Sequence, residues 1–235
     1  MISRRKLILF DIDGTLLSSA PTGRESLEEA LTEYLGWTIH LDFHDVAGFT
    51  DPAIIEGVLQ RNGYNISSNG HVVDQVLARY LDILDERIPG SGVVTVFRGA
   101  IELVAGCRQE GWCTALLTGN VERGARVKLG EAGIWDLFDF GIYGDEGNLR
   151  EDLPWLARER AWDEVQESFR LENIFLVGDT PNDARVARLS NIHSLIVNRR
   201  PELEWRQAIL DEHPGLLVDS LESVGDLIGW IRSME

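Results

Sequence analysis

Three stretches of the chain are continuously apolar, and each runs straight into a polar cluster. Leu7-Ile8-Leu9-Phe10 leads into Asp11-Ile12-Asp13-Gly14-Thr15, and Thr114 to Leu117 leads into Thr118-Gly119-Asn120. Ile174 to Val177 leads into Gly178-Asp179-Thr180-Pro181-Asn182-Asp183. A strand covered on both faces reads this way, because neither face has to be polar. Helical patterns separate these runs: Ile101, Val104 and Cys107, then Val127 to Ala132, Leu156 to Val165 and Ala184 to Leu189. Strand and helix in alternation predict an α/β fold, a Rossmann-like, doubly wound parallel sheet with helices on both faces. Ligands bind such sheets beyond the carboxyl ends of the strands, so the three polar clusters are expected to meet at one edge. Phe138 to Tyr143, Ser194 to Val197 and Leu216 to Val218 are further strand candidates.

Residues 17–96 break the alternation. Leu27, Ala30, Leu31, Tyr34 and Leu35 follow the spacing of one helix face, and Val72, Val73, Val76, Leu77, Tyr80 and Leu84 make a comparable stripe. No buried strand is legible there. The pattern predicts an inserted helical domain over 17–96 in a core made of 1–16 and 97–235. Small polar residues from Ser18 to Gly23 mark the entry, and the breaker cluster Pro89-Gly90-Ser91-Gly92 marks the exit.

Size and charge narrow the function. A chain of 235 residues, 44% hydrophobic, can bury a sizeable core. Its net charge of -17 disfavours nucleic acid and anionic membrane surfaces as partners, since both are bound through clustered Lys and Arg. Any phosphate site must therefore be locally positive. Cys107 and Cys113, the two cysteines, are not spaced as a CxxC pair, and a reducing cytoplasm is the expected compartment. The apolar run after Arg4-Arg5-Lys6 is too short for a signal-peptide core, and no run approaches a membrane span.

Asp11 and Asp13 are two carboxylates two apart on a loop after a buried strand. Such a pair can hold a hard cation while one attacks and the other manages protons. A calcium loop starting at Asp11 would need Gly and Glu where the chain has Leu16 and Thr22. Asp179 and Asp183 bring two more carboxylates to the same edge. Each disfavours ionisation of the others, and a divalent cation relieves the conflict. Mg2+ suits the site best, because it needs few protein oxygens when a substrate phosphate supplies another.

With these residues in view, the chain resembles the haloacid dehalogenase superfamily. Asp11-Ile12-Asp13-Gly14-Thr15-Leu16 is similar to its first signature, Leu116-Leu117-Thr118-Gly119-Asn120 to its second and Gly178-Asp179-Thr180-Pro181-Asn182-Asp183 to its fourth. The helical insert is similar to the cap of the phosphoglycolate phosphatase-like branch, and Gly48-Phe49-Thr50-Asp51 resembles a cap loop of that branch. The resemblance implies that Asp11 forms an aspartyl-phosphate. Asp13 is then the acid and base, and lends its backbone carbonyl to Mg2+. Thr118 and the backbone amides of Gly119 and Asn120 hold the phosphoryl oxygens, and Asp179 completes the metal site with Asp183 in support. An acid at position 13 leaves phosphatase or phosphomutase chemistry on a small phosphorylated metabolite.

The third signature departs from the family's usual Lys-Pro. Arg150, in Gly147-Asn148-Leu149-Arg150-Glu151-Asp152, sits about where the family's basic residue belongs. Lys128 is the rival, but lies mid-helix and reads as solvated or structural. Elsewhere, His40-Leu41-Asp42-Phe43-His44-Asp45 reads as a surface loop, the seven Trp as core or cap packing, and Glu25, Glu28, Glu29 and Glu33 as a solvated helix face. A non-catalytic binding module is the reading from another class. It predicts loss of Asp11, Asp13 or Asp179, and all three are present.

Overall fold

The structure, a computed structural model, describes residues 3–65, 71–147 and 149–234; Asn148 of the third-signature stretch lies outside them. In chain order the strands are β1 (Leu7–Phe10), β2 (Leu17–Ser18), β3 (Thr95–Val96), β4 (Cys113–Leu117), β5 (Phe140–Ile142), β6 (Ile174–Gly178), β7 (His193–Val197) and β8 (Leu216–Val218). Six of them form one sheet in the order β5-β4-β1-β6-β7-β8, and every neighbouring pair is parallel. β1 lies between β4 and β6, with Phe10 level with Leu116 on one side and Val177 on the other. Asp11, Thr118 and Asp179 therefore emerge side by side where the strand order reverses, the place at which such sheets open a crevice.

The unbroken apolar runs follow from burial of both faces. Ile8 and Phe10 pack into a core with α5 (Ala100–Gln109), α6 (Glu122–Glu131) and α10 (Val224–Ser233). Leu7 and Leu9 point the other way, against α7 (Leu153–Val165) and α8 (Pro181–Leu189). α9 (Leu203–Asp211) contributes Ile209 to a small cluster beside β7. The sheet is thus doubly wound, as the alternation predicts.

Residues between β2 and β3 form α1 (Thr22–Leu35), α2 (Phe43–Val46), α3 (Asp51–Arg61) and α4 (His71–Arg87). They bury a separate core that includes Leu31, Ile55, Leu59, Val76 and Leu84. β2 and β3 pair antiparallel, Leu17 with Val96 and Ser18 with Thr95, so both crossings between the helical layer and the sheet domain run through one short ribbon.

Three sequence expectations change. The His40–Asp45 stretch is not simply a loop, since Phe43–Val46 makes one helical turn whose capping carboxylate, Asp45, accepts from the Asp42 amide at 2.9 Å. Phe43 then meets Trp205 edge-on at 5.1 Å, an apolar contact that a run of His and Asp conceals. Of the tryptophans, Trp112 is buried but Trp37, Trp155 and Trp162 are about half exposed; the Arg158 guanidinium covers one ring, lying 5.2 Å from Trp155. The acidic face of α1 is partly spent on ion pairs, Glu33 with Arg79 at 2.7 Å and Glu29 with Arg87, which tie α1 to α4.

Candidate active site

Asp11 follows β1 directly, and its amide donates to Val177 O of β6 at 2.9 Å, so the sheet hydrogen bonding carries on through the residue. The chain then turns sharply. Gly14 has φ +85°, and a Cβ there would lie 2.2 Å from Asp179 Oδ2, so only glycine lets the two acidic loops touch. Arg199, after β7, clamps this turn by donating to the carbonyls of Gly14 at 3.0 Å and Thr15 at 3.2 Å.

Oxygens of Asp11, Asp179 and Asp183 all lie within 4.8 Å of one another, and all three residues are buried. Burial pushes the Asp11 carboxyl up to about 7; Asp183 and Asp13 add to the rise, while Arg150 opposes it. Asp179 is driven well above the usual range, first by burial and then by the charges of Asp183 and Asp11. Carboxylates forced together against their own ionisation form a site for a hard divalent cation, and this oxygen-only donor set fits Mg2+. Asp183 is the most committed of the three. Its Oδ2 accepts from the Asp179 amide at 3.2 Å, the Thr180 amide at 3.0 Å and the Thr180 hydroxyl at 2.7 Å, while Oδ1 accepts from Arg150 at 2.6 Å. These bonds cap the start of α8 and fix Asp179 in place.

Arg150 opens a 3-10 turn ahead of α7 and is buried. One Nη lies 2.6 Å from Asp183 and 3.3 Å from Asp11, and its Nε has no hydrogen-bond partner among the described residues. Burial works against its charge, but Asp183 and Asp11 outweigh it and hold the guanidinium protonated. A charged fork with an unspent donor beside Asp11 suits an oxyanion of the phosphoryl type.

Asp13 sits in a different environment. Its Oδ2 takes the Lys128 ammonium at 2.6 Å and the Asn120 amide at 2.8 Å, and Oδ1 accepts from the Ser19 hydroxyl at 3.1 Å. Burial pushes the carboxyl up, yet the charge and hydrogen bond of Lys128, with those of Asn120 and Ser19, hold it below the usual carboxylate range. Lys128 is therefore not solvated: its side chain is 5% exposed, and it also reaches Asn120 Oδ1 at 2.5 Å. The sequence carried a signal for this, since Ala125, Lys128 and Leu129 recur on the inward stripe of α6. Ser19 and Arg199 carried none, because both act across loops.

Thr118 is buried, and its hydroxyl accepts from the Asn120 backbone amide at 3.2 Å and side chain at 2.9 Å, so here it orders the loop. Gly119 and Asn120 line the cavity beside Asp11. The Gly48–Asp51 loop closes over them. The Asp51 amide donates to Gly119 O at 2.8 Å, its carboxylate accepts from the Val121 amide at 3.1 Å, and Asn182 donates to Gly48 O. A Cβ on Gly119 would lie 2.1 Å from Phe49 O. Gly119→Ala is thus expected to push this loop outward and lower kcat/KM by about 10- to 100-fold, the scale of a misplacement of up to 1 Å. The melting temperature should fall as well, since the atom met is backbone and must shift; unaltered kinetics would show that the loop contact does not matter for turnover.

Comparison with known proteins shows the family and the fold. The family model described as haloacid dehalogenase-like hydrolase matches residues 5–191. A phosphoglycolate phosphatase from Cereibacter sphaeroides is 29% identical over 190 residues, covering 79% of this chain and 81% of its own. Another from Rhodobacter capsulatus is 23% identical over 229 residues, covering 96% and 98%. Among solved structures, CbbY from Rhodobacter sphaeroides in complex with phosphate superposes with a TM-score of 0.70 at 18% identity, over 94% of this chain and 96% of its own. The chain belongs to the haloacid dehalogenase-like hydrolase family, and is a phosphatase.

Proposed function

We propose that this phosphatase is Mg2+-dependent and hydrolyses a phosphate monoester in two steps through an aspartyl-phosphate on Asp11. The observation that carries the reading is the division of labour between the two carboxylates of one turn: Asp11 beside Arg150 and the acidic cluster, Asp13 beside Lys128 and Asn120. Opposite surroundings assign opposite tasks.

An Asp11 oxygen attacks phosphorus, the ester oxygen departs, and Arg150 holds the non-bridging oxygens as charge builds on them. Asp13 gives the departing oxygen a proton, which a monoanionic phosphate ester can bring with it. In the second step Asp13, which Lys128 keeps ionised at rest, takes a proton from water attacking the aspartyl-phosphate. Asp11, Asp179 and the Asp13 backbone carbonyl would hold Mg2+, with Asp183 in support. The ion, when bound, supplies positive charge against the phosphoryl oxygens. Gly119 and Asn120 would add backbone donors once substrate displaces the present contacts. We take residues 17–96 as the cap over this site, with 1–16 and 97–235 as the catalytic core.

No helix among the described residues is long and apolar enough to cross a membrane. The two cysteines are buried and free, which fits a reducing cytoplasm. The phosphomutase alternative shares every signature, and no feature of the site favours it. The test is a panel of phosphate monoesters assayed for free phosphate with Mg2+ and after chelation. Release should vanish on chelation and return on adding the ion back. Accumulation of an isomerised sugar phosphate in place of free phosphate would favour the mutase.

A further inference from the structure

The phosphoryl site forms one end of a cavity of about 420 Å³, and the opposite end is built by the helical cap. A cavity of that size belongs with those that enclose ligands well beyond two carbons, which span about 300 to 1,000 Å³. Leu27 of α1, Phe43 and Val46 of α2, Phe49, Ile54 of α3 and Tyr80 of α4 line it, so all four cap helices present apolar surface. Phe49, which lines the cavity, is 51% exposed. Uncovered apolar surface next to a reactive group marks the seat of a ligand.

Each cation that lines the cavity already faces a carboxylate, and Arg150, whose Nε is free among the described residues, lies at the phosphoryl end. Lys128 is held by Asp13 and Asn120, and Arg150 by Asp11 and Asp183. Arg200 lies flat on Phe43, 3.4 Å from the ring centre, with Glu202 at 3.6 Å. Arg24 is at the solvent side, 43% exposed, with Glu28 at 3.9 Å. A carboxylate at the far end of the substrate would meet no buried donor there and would have to compete with Glu28 and Glu202 for the partly exposed Arg24 and Arg200.

Resting on the phosphatase reading above, we propose that the group released with the phosphate is uncharged and apolar, seated against Leu27, Phe43, Phe49, Ile54 and Tyr80. The preferred substrates are then phosphate esters of hydrophobic alcohols, in contrast to the short hydroxy acid named for the curated relatives.

A series of n-alkyl phosphates from ethyl to hexyl tests this, because lengthening the chain hardly changes the chemistry of the leaving oxygen. With the Mg2+-loaded protein, kcat/KM is expected to climb by about fourfold per methylene until the cavity is full. Esters of equal length ending in carboxylate, phosphoglycolate among them, should fall at least about tenfold below their alkyl counterparts, the direction set by burying an unpaired charge. Phe49→Ala, which removes a half-exposed ring and leaves the fold intact, should flatten the climb. Binding of n-alkylphosphonates, followed by calorimetry, should show the same chain-length dependence without turnover. A flat or falling alkyl series, a preference for the carboxylate members, or an unchanged slope in Phe49→Ala overturns the proposal while leaving a working phosphatase. Absence of hydrolysis of every ester overturns the phosphatase reading and this inference with it.

Discussion

Asp11→Asn is expected to abolish turnover, a loss on the order of 10⁶-fold, the scale seen when an enzyme's nucleophile is removed. The amide is nearly isosteric with the carboxylate but is a poor nucleophile and a poor ligand for a hard cation. The fold should survive. Asp11 ionises against burial and against the charges of Asp183 and Asp13, so a neutral side chain relieves repulsion there. Arg150 loses one partner, but its closer bond, to Asp183 at 2.6 Å, remains. The melting temperature of the metal-free protein should accordingly be no lower than that of the parent. Phosphate release and mass spectrometry of acid-quenched protein give the two decisive readings, since a phosphorylated peptide containing residue 11 should form in the parent alone. Activity near the parent level in Asp11→Asn would refute the covalent route.

The meeting of the three polar clusters at one sheet edge was legible in the sequence because each of its elements obeys a short-range rule. A strand covered on both faces must read as an apolar run, and the residue that follows β1, β4 or β6 must lie at the carboxyl edge, so Asp11, Thr118 and Asp179 could be placed together from pattern alone. What escaped depends on contacts between distant segments. Lys128 reaches Asp13 across 115 positions and Arg199 reaches Gly14 across 185, and no local pattern records such a pairing. The insert divides the same way. Its helices follow from apolar spacing, whereas the docking of Asp51 on Gly119 and the seating of Phe43 on Trp205 depend on how the cap lies over the sheet. Helix starts were read late for a related reason. α6 begins at Glu122 and α8 at Pro181; the first turn of α6 spends Glu122 and Arg123 on exposed ion pairs and that of α8 places Asp183 in the site, so the apolar pattern appears only afterwards.

Arg150 and Lys128 are expected to fail in different steps, and their alanine variants separate the two roles. An anionic phosphate ester must approach Asp11, Asp13, Asp179 and Asp183, and one divalent ion cannot offset that much negative charge. Arg150 is the cation beside the proposed nucleophile, 3.3 Å from Asp11 with an unspent Nε, whereas Lys128 is bound to Asp13, the proposed acid-base residue, on the other side. Arg150→Ala should lower kcat/KM by about 10²- to 10³-fold, the worth of a preorganised donor to a developing oxyanion, with capture and phosphorylation of Asp11 both impaired. Arg150→Lys should recover part of this, as it restores the charge without the fork. The alanine variant also leaves Asp183 buried without its cation, a cost of about 3 to 5 kcal/mol, so its melting temperature should fall and must be followed beside the kinetics. Lys128→Ala acts later. With Lys128 gone, Asp13 keeps only Ser19 and Asn120, its carboxyl rises, and it becomes a poorer holder of the ionised form that activates water. Rapid-quench kinetics should therefore show a burst of phosphoenzyme followed by slow release in Lys128→Ala, and no burst in Arg150→Ala. A Lys128 variant that cannot form phosphoenzyme, beside an Arg150 variant that forms it at nearly the parent rate, would exchange the two assignments.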